Sequence, residues 1–278
     1  MCWTSLGMTS MNAWSHADLE IQIAALTEKI GLEPNNAQLY LQRGELYREH
    51  RDWNKAEADY DRAAKNDPKL VGVDLARANL LFDRDQPDAA GAVLTRFLEK
   101  NPANESGLVL RARVSTRLGH FKNAIEDYTR AIGIISIPPP ELYIERAQAQ
   151  IAAGDVNDAL RGLEEGRKKL GTVITLELCA LDIETNKRDF DAALIRLDRI
   201  ASLSPRKETW LARRGNILEK ANRAEDARKA YEDSLAAIDR LPPRFRHTKA
   251  VEDLEARVRA SLQTMKMAAD KSKAAHAP

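Results

Sequence analysis

The sequence predicts an all-α solenoid of about six helix–turn–helix units, and three observations predict it. An alanine recurs at Ala56, Ala90, Ala124, Ala159, Ala193 and Ala227, at intervals of 34, 34, 35, 34 and 34 residues. A second small residue keeps the same interval at Gly44, Ala78, Ala112, Ala147 and Gly215, with Leu181 at the one place where it is missing. Apolar residues fall at helical spacing between these points, and prolines close segments at Pro68, Pro102 and Pro205. A repeat of this length means stacked supersecondary units, each covering the apolar face of the next, and not one globular core.

The array is read over 36–241, with units at about 37–70, 71–104, 105–139, 140–173, 174–207 and 208–241. In the first unit Tyr40, Gly44 and Tyr47 form one stripe, His50-Arg51-Asp52 make a polar turn, and Ala56, Tyr60 and Ala63 form the second stripe. Pro68 then ends the helix. The second unit repeats this with Ala78, Leu81, a turn over Asp83–Asp85, then Ala90, Leu94 and Phe97. Its Pro87 sits at the start of a helix, where a missing N–H costs nothing. The third and fourth units turn at Gly119 and Gly154. The one extra residue in the interval falls at Pro138-Pro139-Pro140, a stiff connector. The fifth unit departs most, with Leu181 for the small residue and Glu184 for the aromatic.

The small residues have a packing reason. Two antiparallel helices approach closely only where a contact side chain is small, so Gly44 and Ala56 are expected to meet at a crossing. Tyr47, Tyr60, Leu94 and Tyr128 fill the space beside it.

The ends read as caps. Residues 17–35 form an N-terminal helix, half a unit, with Ile21, Ala24, Leu26 and Ile30 as its stripe. Residues 242–266 form a C-terminal helix with Val251, Leu254, Val258, Leu262 and Met265 at three-to-four spacing. Residues 267–278 are expected to be a flexible tail, and 1–16 a disordered leader or the remnant of a secretory signal.

Bulk chemistry narrows the function. The 43 basic and 42 acidic residues leave a formal charge of +1, which argues against a nucleic-acid binder that works by neutralising phosphates. No apolar run is long enough for an integral membrane segment. The two cysteines, Cys2 and Cys179, rule out a disulfide framework, and Cys179 reads as a small packed residue. The histidines have no metal-ligand spacing, and no phosphate loop or nucleophile elbow is present. The expectation is therefore no enzyme, no metal and no cofactor.

The pattern Gly44, Tyr47, Ala56, Tyr60, Ala63 and Pro68, with partial copies downstream over about 37–241, resembles the tetratricopeptide repeat family. The resemblance implies a right-handed superhelix with a concave groove lined by the first helix of each pair. Counting along those helices gives an apolar stripe of Leu41, Leu75, Val109, Ile144 and Leu178, beside Asn79, Arg113 and Gln148, with Phe82 and Arg117 further along. Leu75, Asn79, Phe82, Val109, Arg113, Arg117, Ile144 and Gln148 are the candidate binding residues. Amides can pair with a peptide backbone and arginines can hold a carboxylate by two bonds. The stripe can equally be core between units. The family's carboxylate clamp wants lysines where this chain has Leu75 and Val109, which disfavours chaperone docking.

The leading reading is a non-enzymatic scaffold that binds a protein or peptide segment in the groove. The alternative is an accessory or regulatory subunit assembling through lateral or convex surfaces, self-association included. The repeats also resemble bacterial cell-envelope proteins of the family. A truncated signal peptide at the N-terminus would put the protein in the periplasm or envelope, and its absence in the cytoplasm.

Overall fold

The computed structural model describes residues 16–275. The leader expected over 1–16, apart from His16, lies outside the described residues, as do Cys2 and positions 276–278 of the tail. Among the described residues there are helices and no strands. The chain divides at Pro138 and Pro139 into two compact units.

The first unit opens with α1 (His16–Leu32) and continues in three hairpins. These are α2 (Ala37–Glu49) with α3 (Trp53–Asn66), α4 (Gly72–Asp83) with α5 (Pro87–Lys100), and α6 (Glu105–Arg117) with α7 (Phe121–Ile134). The second unit has α8 (Pro140–Ala152) with α9 (Val156–Leu170), α10 (Ile174–Asn186) with α11 (Phe190–Leu203), and α12 (Glu208–Lys220) with α13 (Ala224–Asp239). The short α14 (Pro243–Arg246) and the long α15 (Lys249–Ala275) follow.

Local chemistry sets the helix ends. Asn36 and Asn104 are N-caps whose side chains accept from the Gln38 and Gly107 amides at 3.1 and 2.8 Å. Pro87 and Pro140 each begin a helix. Every hairpin then turns by the same device. A residue with positive φ recurs at Arg51, Asp85, Gly119, Gly154, Arg188 and Asn222. The next amide reaches back five residues, as from Asp52 to the Tyr47 carbonyl at 2.8 Å and from Arg223 to that of Leu218 at 2.9 Å. This is a left-handed helix stop closed by a long-reach hydrogen bond.

Packing within a hairpin follows from its small residues. A Cβ added at Gly44 would stand 2.5 Å from the Tyr60 ring and 3.3 Å from the Ala56 carbonyl oxygen. Gly215 has the same relation to the Tyr231 ring, at 2.5 Å. Gly166 lets Tyr143 and Leu176 close on α9. Ala56, Ala90, Ala124, Ala159, Ala193 and Ala227 are all fully buried. Leu181, which interrupts the series of small residues, is also fully buried, in the core that continues through α11, α12, α13 and α15.

Two sequence expectations need correction. The buried stripe of α1 contains Leu19 and Ile30, whereas Ile21 is 68% exposed and Ala24 is exposed. Residues 19, 23, 26 and 30 share one helical face, and 21 points well away from it. The final helix also does not stop at 266. It runs to Ala275, because Met267–Ala275 consists largely of strong helix formers without glycine or proline. Val251, Leu254 and Val258 are its buried residues, with Leu262 and Met265 packed against the same core.

Candidate functional site

The candidate residues fall on three helices in two units. Leu75, Asn79 and Phe82 lie on α4, and Val109, Arg113 and Arg117 on α6, in the first unit. These two helices are packed side by side. Ile144 and Gln148 lie on α8, in the second unit. Leu75, Asn79, Phe82 and Val109 are half-buried, while Arg113 and Arg117 are exposed. Leu75 and Phe82 pack against the core around Leu94 and Val114, and Leu75 and Val109 against that around Phe97 and Leu108. The apolar stripe of the first unit thus contributes to the packing between successive first helices and keeps part of its surface in solvent.

Charges on these first helices are paired across the hairpins. Arg48 on α2 bonds Asp83 on α4, and it holds Glu45 on its own helix at 2.9 Å. Arg117 on α6 reaches Asp85, in the turn after α4, at 2.6 Å. Within the second unit Arg213 on α12 bonds Asp182 on α10. Glu45 also accepts from the buried Tyr60 hydroxyl at 2.6 Å. Burial and this carboxylate push the Tyr60 hydroxyl pKa well up. Burial opposes the charge of Arg48, but Glu45 and Asp83 outweigh it and raise the guanidinium pKa. The face is therefore built from apolar residues and amides, with its ionic groups largely compensated among themselves.

The sequence carries a further periodic signal, a series of arginines. It stands one residue before the small-residue series, at Arg43, Arg77, Arg111, Arg146 and Arg214. Arg43 and Arg111 each clamp an aspartate on the second helix of their own hairpin. Arg43 holds Asp59 by two bonds of 2.8 Å, and Arg111 holds Asp127 by bonds of 2.7 and 2.8 Å. Arg77 and Arg214 turn instead to the preceding second helix, where they bond Asp61 and Asp198. Arg146 reaches Glu165 at 2.7 Å past Gly162, where a Cβ would lie 2.9 Å from its guanidinium.

The fifth hairpin reverses this polarity. Ala180 occupies the arginine position, and Arg196 stands on the second helix. Arg196 joins Glu184 at 2.7 and 2.9 Å and Glu177 at 2.7 Å, and Arg199 adds a bond to Glu177 at 3.1 Å. Glu177 and Glu184 are 1% and 5% exposed. The sequence departure at Glu184 is thus a buried carboxylate with its own counter-ion.

Chemistry beyond ion pairing is sparse. Among the described residues, no group of three or more histidine, cysteine, aspartate or glutamate side chains could hold a metal ion. Cys179 is half-buried, and burial pushes its thiol up to about 11, with Asp182 adding to the shift. A thiol so raised is a poor nucleophile at neutral pH. No helix among the described residues is long and apolar enough to cross a membrane.

Comparison with known proteins agrees with this architecture. A family profile described as a tetratricopeptide repeat-like domain matches residues 142–256, and one described as a tetratricopeptide repeat matches 75–136. No curated protein sequence matches the chain. A tetratricopeptide repeat protein from Parabacteroides merdae is similar over 87% of this chain and 93% of its own, with a TM-score of 0.53 and 16% identity. PilW, a widely conserved type IV pilus biogenesis factor, is similar over 67% of this chain and 86% of its own, with a TM-score of 0.57 and 18% identity. Yeast Tom70 is similar over 87% of this chain and 47% of its own, with a TM-score of 0.52 and 17% identity. At such identities the likeness is one of fold. Two family profiles, serial helical hairpins and recurrent small residues lead to one conclusion: the chain belongs to the tetratricopeptide repeat family.

Proposed function

We propose that the protein is a non-enzymatic interaction scaffold that binds an extended protein segment on the open face of α4 and α6. Tetratricopeptide arrays are protein-interaction scaffolds, and this chain's lack of a recognisable catalytic motif is consistent with that role. The observation that carries the finer reading is the juxtaposition on two packed helices of half-buried Leu75, Phe82 and Val109 with Asn79, Arg113 and Arg117. The apolar residues supply shallow contacts for alternate side chains of a bound strand. Asn79 can meet its backbone with both a donor and an acceptor, and the exposed guanidinium groups can meet a carboxylate by exchanging present partners, Asp85 in the case of Arg117.

The test is affinity capture from the native cell with wild-type protein and with the Asn79→Ala/Arg113→Glu double variant, both checked for helicity. Loss of a specific captured protein in the variant supports the reading. Equal capture by both would overturn it and point to another surface. Sedimentation of the purified protein separates self-association from partner binding.

A further inference from the structure

The second unit carries a pocket that the proposed groove does not include. It lies where the turn after α11 meets the end of α13 and the short α14, and its volume is about 400 Å³. Ala237, Leu241, Pro242 and Phe245 give it an apolar side, and Arg206, Lys207 and Arg240 a cationic one. This volume lies toward the lower end of the usual range for ligand sites, roughly 300–1,000 Å³. It suits one side chain with its neighbours, not a large cofactor.

The charges around the pocket are unequally compensated. Arg206 donates to Glu208 at 2.6 Å, and Glu208 is itself only 2% exposed. Arg246 is held by Asp239 at 2.5 Å. Lys207 bonds the Ala201 carbonyl near the end of α11, a neutral partner. Arg244 lies over the Phe245 ring at 4.7 Å, and Arg206 over the same ring at 5.3 Å. Among the described residues Arg240 and Arg244 make no ion pair, and both are exposed, as is Lys207. Lys207 and Arg240 on its lining and Arg244 beside Phe245 thus flank an apolar recess whose lining carboxylate, Glu208, is taken by Arg206. The chain as a whole has a formal charge of only +1, so this excess is local.

We propose that this pocket is a second binding site, which takes an acidic segment of a partner protein. An apolar side chain of that segment rests on Leu241, Pro242 and Phe245, and carboxylates on either side meet Arg240, Arg244 and Lys207. The arginines suit this task, because a planar guanidinium can take a carboxylate by two parallel bonds. Stacking on Phe245 holds the Arg244 guanidinium in place before binding. A nucleic-acid site would need a basic track along many phosphates, and here the cations converge on one recess. A membrane site would need apolar side chains projecting outward, whereas Phe245 is half-buried.

The test uses the full chain and fluorescence anisotropy. The probe is a short labelled peptide of glutamates around one central leucine, with a glutamine version of the same length as control. A labelled single-stranded oligonucleotide and anionic lipid vesicles test the other occupants. The variants are Arg240→Glu/Arg244→Glu, the milder Arg240→Gln/Arg244→Gln, and Lys65→Glu as a charge control in the first unit. Circular dichroism verifies that each is folded. The glutamate peptide should bind, and the glutamine peptide should not. The pocket variants should weaken binding by about tenfold or more, Lys65→Glu should leave it unchanged, and added salt should weaken it. Failure of the glutamate peptide to bind would overturn the proposal. So would equal loss in Lys65→Glu, or undiminished affinity in both pocket variants. Preferential capture of the oligonucleotide or the vesicles through Arg240 and Arg244 would overturn it as well.

Discussion

Glu184 on α10 and Arg196 on α11 are joined by two hydrogen bonds of 2.9 and 2.7 Å across the hairpin, where the first hairpin carries Tyr47 instead of a carboxylate. The acid is on the first helix and the base on the second, opposite to Arg43 and Asp59 or Arg111 and Asp127. The same guanidinium also satisfies Glu177. Removing one member of such a buried set strands the others.

Arg196→Ala should therefore destabilise the protein by about 3–5 kcal/mol, since buried Glu184 loses its counter-ion and buried Glu177 keeps only Arg199. Arg214→Ala, which breaks a more exposed pair with Asp198, should cost no more than about 1 kcal/mol. Urea unfolding of both variants measures the contrast. Equal losses would mean that the buried set does not hold the fifth hairpin together.

Gly44→Ala should destabilise by about 1–3 kcal/mol, because the new methyl group meets the rigid Tyr60 ring at 2.5 Å. Ala124→Leu should cost a similar amount by overpacking a fully buried site, again about 1–3 kcal/mol. Gly133→Ala should have the opposite sign. Nothing lies within 4 Å of its added Cβ, it is helical, and alanine restricts the unfolded chain, so a gain of about 0.4–1 kcal/mol is expected. Thermal melts of the three variants test both the magnitude and the sign.

The recurring left-handed turn makes a paired prediction. Arg188 holds φ at 64° and Gly119 at 76° at equivalent places. Arg188→Gly should stabilise or be neutral, since glycine adopts this conformation without a Cβ penalty. Gly119→Val should cost about 1–2 kcal/mol. Denaturation midpoints that move in the same direction for both would contradict the shared turn.

Alkaline pH should weaken the fold in a defined window. The Cys179 thiol is raised from 9.0 to about 11 by burial, and the Tyr231 hydroxyl from 10.0 to about 12 by burial and by its hydrogen bond to Glu219. Below pH 9 both groups are protonated in the folded and unfolded chain alike, and their contribution to stability is complete. Above pH 9 the unfolded chain loses the thiol proton first while the folded chain keeps it. Stability then falls as pH rises through 9–11 for Cys179 and through 10–12 for Tyr231. Unfolding free energy measured against pH should show this decline, and Cys179→Ala should flatten its first part. In a Cys2→Ser background, iodoacetamide should alkylate the folded protein at pH 9 far more slowly than the denatured one.

The repeat was legible because its cause is local and recurrent. Gly44, Ala56 and their copies are small at every crossing, so a steric requirement is written into the chain at a fixed interval. The arginine series beginning at Arg43 was equally periodic, but surface-type residues at helical spacing read as solvated charge until a partner is located. The stripe of α1 was misread because Ile21 and Leu19 are both apolar, and only contact with α2 distinguishes the face that is covered.

The primary structure settled that this chain is an array of helical hairpins, since helix length, turn placement and close approach each depend on residue types a few positions apart. It could not settle which charges meet. Arg77 turns back to Asp61 while Arg111 takes Asp127 within its own hairpin, and Glu184 becomes acceptable only because Arg196 faces it. Those choices depend on which helix packs beside which. They also leave Arg240 and Arg244, among the described residues, without an ion pair near an apolar recess, which no reading along the chain would reveal.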